Sequence, residues 1–159
     1  MPLIDLVRSA LSYHDALNRR MWDSIMTLKD EQFLAPIPYS HGSIRNQVVH
    51  LTAVDGRWLR GLQGQPDART YNLLPDDYPT KQAAYDLWEI SSNQLSAYTT
   101  DIDENELERY PAGMPGPVWQ VLLHVVNHGT DHRAQILRAL HDFDAPTFDQ
   151  DLILHLWSF

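Results

Sequence analysis

Residues 119–140 read WQVLLHVVNHGTDHRAQILRAL, and we expect the rest of the chain to fold around this segment. Apolar residues recur in it at three- and four-residue steps, which predicts an amphipathic α-helix. It contains three histidines spaced four residues apart, His124, His128 and His132, so neighbouring imidazoles lie one above the other on one face. Two such imidazoles can bind one metal ion, whereas the outer two, roughly 12 Å apart along the axis, cannot share one.

The helical angles favour His128 and His132 as the metal-binding pair. At about 100° per residue, both lie on or beside the centre of the apolar stripe. His124 lies on the shoulder of that stripe, near Asp131 and Gln135. An unpaired imidazole is costly in a core position, so two histidines there require partners. We therefore expect His128 and His132 to be ligands and His124 to lie in the pocket wall, although spacing alone also allows a structural role.

Composition and charge argue against several classes of partner. The 159 residues include 12 basic and 21 acidic side chains, giving a net charge of −9. Nucleic acids and anionic membranes are bound by basic surfaces, so we expect neither as a partner. No apolar run approaches the ~20 residues that span a membrane, and the first residues lack the form of a signal peptide. The expected location is the cytoplasm.

The sequence contains no cysteine. This rules out disulfides, thiolate metal ligands and a cysteine nucleophile within these residues. A metal ion would therefore have to be held by histidine, aspartate or glutamate side chains. Any thiol chemistry would have to use a thiol brought by a second molecule.

The apolar pattern predicts four helices and therefore an all-α fold. The predicted helices are residues 3–28, 44–62, 80–100 and 119–140. Either Ser43 or Ser40 is expected as the N-cap of the second helix, and Thr80 as the N-cap of the third.

The segments between the predicted helices are expected to be connections. Residues 29–42 are interrupted by proline and glycine, and the acidic stretch 101–108 is expected to be solvated. Residues 63–79 hold no convincing element, and a loop of that length can carry the chain from one end of a bundle to the other. The second and third helices could then run parallel. The chain length fits a single domain over residues 1–159.

The last predicted helix has a second apolar face, formed by Trp119, Leu123, Val126 and Leu137. A helix that is apolar on two sides either is central to the fold or takes part in a subunit contact. We hypothesise a homodimer through this face.

Histidines on the other predicted helices are further candidates. His50 lies on the second helix, on the same face as Asn46, and supplies a third imidazole from a remote segment. His14 falls on the apolar seam of the first helix, beside Tyr13. A core-edge position with a local hydrogen bond and a pocket-lining role are both open for His14.

Three stretches resemble the DinB/YfiT-like family of proposed metalloenzymes. They are residues 40–50 (SHGSIRNQVVH), residues 54–59 (VDGRWL) and residues 122–136 (LLHVVNHGTDHRAQI), of which the last is the most specific. The likeness extends more loosely over the whole chain. It implies a four-helix bundle with up-down-down-up topology and a long crossover between the second and third helices, which agrees with the long loop.

The resemblance also implies the ligand set. In this family one histidine of the second helix and two of an HxxxH motif in the fourth hold the metal, and these positions match His50, His128 and His132. Where relatives often have His-His-Arg-Gly-Gln, residues 131–135 read DHRAQ, so the ligand is retained and Asp131 adds a carboxylate. That carboxylate either accepts a hydrogen bond from an imidazole or faces solvent. Candidates for contacts behind the ligands or for the pocket wall are Asn46, His124, Asp131, Gln135, His14 and Tyr13.

Three neutral histidines leave at least one position of a divalent ion open, as in catalytic sites. Zinc and nickel suit such ligands, with iron and manganese as alternatives. The ion could lower the pKa of water for hydrolysis or stabilise a thiolate. Members of the family include bacillithiol- and mycothiol-dependent S-transferases and isomerases, which implies a thiol-dependent S-transferase with a small-molecule substrate and a low-molecular-weight thiol. A metal-dependent hydrolase, and a stress protein that binds metal or a small molecule without turnover, are the alternatives.

Overall fold

The computed structural model describes residues 2–157, and over that range it contains helices and no strand, as expected for an all-α fold. The four long helices are α1 (Leu3–Met26), α3 (Ile44–Leu62), α4 (Lys81–Asp101) and α6 (Val118–Asp142). Three short helices are α2 (Asp30–Leu34), α5 (Glu104–Glu108) and α7 (Leu152–Leu156). A single 3-10 turn, Pro75–Asp77, interrupts the long connection between α3 and α4.

The long helices begin where the sequence supplies a cap. The side chain of Ser43 accepts a hydrogen bond from the backbone N–H of Asn46 and so caps α3. Thr80 caps α4 in the same way through the N–H of Ala83. The predicted span of α3 is confirmed, and those of the other three long helices differ from the observed ones by one or two residues at an end.

Two connections expected to be irregular contain short helices. In α2, Phe33 is fully buried, and in α5, Leu107 is fully buried in the middle of the acidic stretch. The acidic side chains Asp101, Asp103 and Glu108 are exposed, as expected, but the expectation that this stretch is only a connection was wrong, because it contains α5. Asp103 caps α5 by accepting from the N–H of Glu106 at 2.8 Å. A single turn held by one cap and one buried side chain is too short to show an apolar period.

The core consists of two apolar clusters, and each long helix contributes one half to each cluster. The first contains Met21, Trp22 and Ile25 of α1, Ile44, Val48 and Leu51 of α3, Ala84 and Trp88 of α4, and Ile136 and Leu140 of α6. The second contains Val7 and Leu11 of α1, Leu59 and Leu62 of α3, Leu95 of α4, and Val118 and Leu122 of α6. Helix α1 packs against α6 and α4, and α3 packs against the same two helices.

Among the described residues, no helix is both long and apolar enough to cross a membrane.

Candidate metal centre

Four imidazoles come together where α3, α6 and the turn before α3 meet. The ring centroid of His50 lies 4.9 Å from that of His132 and 5.5 Å from that of His128. The His128 and His132 rings, one helical turn apart on α6, are 4.4 Å from each other. His41, from the turn before α3, stacks on His50 with centroids 3.8 Å apart and ring planes 24° apart. Segments about 80 residues apart in sequence therefore place their imidazoles at one point, as the sequence predicted for His50, His128 and His132.

The closest grouping of ligand atoms includes a residue that the sequence reasoning missed. One ring nitrogen from each of His41, His50 and His132 lies within 4.8 Å of the other two, and this is the group of side chains suited to a metal ion within residues 2–157. His128 is not a member of that group, although its ring contacts both His50 and His132. The sequence does contain an indication of His41, because this residue stands two positions before the N-cap of the helix that carries His50 and so must lie near the start of that helix. Helical periodicity could not detect it, since the residue lies outside a helix.

The histidines of α6 are buried in the order that their helical angles predict. His132 is only 8% exposed, His128 is half-buried and His124 is exposed. Burial, followed by the charges of His41 and His132, lowers the pKa of His50 to about 4. Burial, followed by the charge of His132, lowers the pKa of His128 to about 4 as well. Burial also lowers the pKa of His132. These three side chains are therefore neutral at pH 7, the state in which imidazole binds a metal.

Two ring nitrogens of the histidine cluster have no partner of their own. The Nδ1 atoms of His128 and His132 are buried and form no hydrogen bond with any described residue. A buried polar atom left in this state costs about 1–3 kcal/mol. A bound divalent ion would remove this penalty, and an all-nitrogen ligand set is suited to zinc and nickel. The side chains present therefore fit a metal ion.

The residues predicted to lie behind the ligands take different positions. Asn46 donates from Nδ2 to the backbone carbonyl of His41 at 2.9 Å, so it holds the turn that carries the fourth imidazole. Asp131 is exposed and accepts from Gln135 at 3.2 Å, while its charge raises the pKa values of His128 and His132 against the effect of burial.

His124 lies one turn from His128, with ring centroids 5.9 Å apart, and packs edge-on against Trp58 at 5.1 Å. Its exposed position and its contact with an aromatic ring agree with the expected place on the shoulder of the helix face.

Tyr13 and His14 belong to a separate buried polar network. His14 Nε2 lies 3.0 Å from the Asn18 amide nitrogen and 3.6 Å from Asp55 Oδ2. The guanidinium of Arg133 donates to Asn18 Oδ1 at 3.0 Å. Tyr13 donates its hydroxyl hydrogen to the backbone carbonyl of Gln150.

This network borders a cleft of about 510 Å³ that is lined by α1 and α4, with His14, Asn18 and Asp55 among its lining residues. His14 therefore lines a cleft, but not one that the four clustered histidines line. Its charge nevertheless contributes to the lowered pKa of His128.

Comparison with models of known protein families gives a match. A family model described as DinB family matches residues 5–151, a range that contains all four clustered histidines. A search of curated proteins finds no match. The resemblance read from the sequence is confirmed at the level of the family.

Proposed function

The chain belongs to the DinB family, and from that premise we propose that it is a metal-dependent protein with a divalent ion held by His50, His128 and His132. The observation that carries the proposal is the meeting of imidazoles from α3 and α6 in a neutral state, with two buried ring nitrogens that lack partners. Zinc and nickel are the proposed ions, with iron and manganese as alternatives.

The proposed architecture is one domain over residues 1–159, a four-helix bundle with up-down-down-up topology. The two core clusters support it. The first cluster takes the N-terminal halves of α3 and α4 together with the C-terminal halves of α1 and α6, and the second takes the opposite halves. Parallel α3 and α4, each antiparallel to α1 and α6, would produce this pattern.

The proposed reaction is transfer to or from a low-molecular-weight thiol. When bound, the ion supplies positive charge that lowers the pKa of a thiol or a water at its open position. A thiol ionises with a pKa of about 8.5 and bulk water with one of about 15.7, so the thiol needs much the smaller shift to react as an anion. The chain has no cysteine, so the thiol would be a cosubstrate.

A hydrolase is the second candidate, and a base near the ion would help to take the proton from the bound water. Asp131, the carboxylate nearest to the ligands in sequence, is exposed and accepts a hydrogen bond from Gln135. This arrangement favours the thiol reaction. The role of the histidines in either case would be to bind and orient, and the exposed His41 marks the side from which a small molecule can approach.

Metal content tests the proposal most directly. We expect about one equivalent of zinc or nickel in the wild-type protein after reconstitution and dialysis. His50→Ala should lose it, because the ligand from α3 is gone. His141→Ala, which removes an exposed histidine near the end of α6, is the matched control and should keep the metal. A wild-type protein that retains no metal would contradict the proposal.

Activity separates a transferase from a protein that binds metal without turnover. Electrophilic substrates would be screened with a low-molecular-weight thiol, using metal-loaded wild-type protein and His132→Ala. Thiol-dependent turnover that His132→Ala lacks would support the transferase. Turnover without thiol would indicate the hydrolase, and metal binding without either reaction would indicate the non-catalytic stress protein.

The homodimer and the cytoplasmic location stay predictions. The side chains of the proposed dimer face, Trp119, Leu123, Val126 and Leu137, are half-buried, and three of them pack in part against the core. Sedimentation at several concentrations tests the dimer, and a monomer at all of them would contradict it.

A further inference from the structure

We propose that His41 is a fourth, displaceable ligand of the metal site, which occupies the coordination position that a substrate must take and so holds the resting site closed. This inference rests on the proposed metal-dependent function. The imidazole of His41 would then compete with the incoming thiol for the same position on the metal ion.

The arrangement of the rings carries the first step. His50 and His132 take part in two overlapping sets of three imidazoles, one completed by His128 and the other by His41. The ring of His41 lies 3.8 Å from that of His50 and 5.4 Å from that of His132, measured between centroids. An ion bound by His50, His128 and His132 would therefore have a fourth imidazole beside it, at a site where three histidines leave a position open.

The turn that carries His41 is built to hold its backbone in place. Ile37 donates its N–H to the carbonyl of Gly42 at 2.8 Å, and Asn46 donates to the carbonyl of His41 at 2.9 Å. Ser40 and Gly42, on either side of His41, have φ values of 52° and 82°. A serine in the left-handed region is strained, and such strain persists where the surroundings enforce it, often at ligand sites. The backbone is thus fixed in a position that presents the imidazole to the site.

The side chain of His41 is far less constrained than its backbone. It is exposed, whereas His132 is buried and His128 half-buried on a helix. The His41 and His50 rings are stacked with their planes 24° apart, so lone pairs that lie in these planes do not converge on one ion, and the His41 ring must rotate to bind an ion that His50 holds. Rotation of an exposed ring disturbs little packing, and it can be reversed when another ligand arrives. These properties make His41 a removable ligand and leave His128 and His132 as fixed ones.

Ring-nitrogen NMR of ¹⁵N-histidine-labelled protein tests the inference residue by residue. Zinc coordination shifts the resonance of the nitrogen that binds, so zinc should shift His41, His50, His128 and His132 in the wild type. Addition of 2-mercaptoethanol should return only His41 to its metal-free position. The His141 resonance is the internal control and should not move. In His41→Ala, zinc should still shift the other three histidines.

Thiol affinity provides a second measurement. A tethered imidazole competes at an effective millimolar concentration, so the 2-mercaptoethanol concentration at half saturation should fall on the order of tenfold in His41→Ala. His141→Ala should behave as the wild type.

The outcomes separate this inference from the function on which it rests. A His41 resonance that zinc leaves unmoved, together with shifted His50, His128 and His132, would overturn the fourth ligand and leave the metal site intact. Equal thiol affinity in wild type and His41→Ala would overturn displacement. If zinc shifts none of the four resonances, the proposed metal-dependent function itself fails.

Discussion

The low pKa values of His50 and His128 have a direct consequence for metal binding at acidic pH. An ordinary imidazole, with a pKa of about 6.5, begins to lose metal to protons below that pH. With both pKa values lowered to about 4 by burial, these two ligands stay neutral well below pH 6. Burial also lowers the pKa of His132, so zinc affinity, measured by competition with a chelator, should begin to fall at a lower pH than the ~6.5 of an ordinary imidazole. A steep loss beginning at pH 6.5 would contradict it.

The same shifts set the pH dependence of the metal-free protein. Because the folded pKa values lie below the unfolded value of about 6.5, the unfolded chain binds more protons between pH 6.5 and pH 4. The stabilising contribution is present above pH 6.5 and is lost as the pH falls towards 4. Urea midpoints of the metal-free protein should decline through that window. His50→Ala should show a shallower decline, and an identical slope would count against the assignment.

Gly129 is required by the ring of His14. A Cβ at this position would lie 2.4 Å from His14 Cε1 and 2.5 Å from Nδ1, and the ring is buried and fixed. Gly129→Ala should therefore destabilise the protein by about 1–3 kcal/mol, although alanine is the better helix former. Gly61→Ala is the matched control, because its Cβ meets only the flexible end of Met114. Urea unfolding should separate the two variants, and equal effects would refute the steric argument.

At the level of elements, the N-terminus of α3 should affect both the stability of the protein and its affinity for zinc. Ser43 caps the helix that carries His50, and it stands beside the turn that carries His41. Ser43→Ala should cost about 1 kcal/mol of stability. It should also weaken zinc binding on the order of tenfold, the low end of the loss when a ligand-orienting contact is removed. Thr80→Ala removes the corresponding cap of α4 and should cost similar stability without changing zinc affinity. Equal zinc affinities would show that the cap does not position the site.

The length of an element decides whether the sequence can predict it. The four long helices carry an apolar period over five or more turns, so their limits were predicted to within about two residues. Helices α2 and α5 are single turns fixed by Phe33 and Leu107, whose burial depends on contacts with other helices. The meeting of His50, His128 and His132 followed from helical faces and the family resemblance. His41 did not, because the direction of a turn residue depends on the tertiary contacts around it.

On the scale of the whole molecule, a buried polar network connects three long helices. His14 lies on α1, Asp55 on α3 and Arg133 on α6, and all three are buried. Along its helix, each of them lies between the residues that belong to one apolar cluster and those that belong to the other. Arg133 also donates to Thr130 at 3.1 Å and to Gln150 at 3.4 Å, which attaches the segment after α6. The contacts of His14 with Asp55 and with Arg133 join residues 41 and 119 positions apart, so a helical pattern gives no indication of them. The network therefore couples helices whose apolar faces would pack without it.

The contributions of the Asp55 and Arg133 charges to the stability of the protein should depend on each other, even though His14 lies between the two side chains. His14 lies 3.6 Å from Asp55 and 3.4 Å from Arg133, and the charge of Asp55 raises the pKa of Arg133 against the effect of burial. Asp55→Asn leaves a buried cation without its counter-charge, and Arg133→Met leaves a buried anion, so each should destabilise by about 3–5 kcal/mol. The double variant removes both charges and should lose less than the sum, with a coupling of about 1 kcal/mol or more by urea unfolding. Losses that add to within about 0.5 kcal/mol would show that the two charges do not stabilise each other in the folded protein.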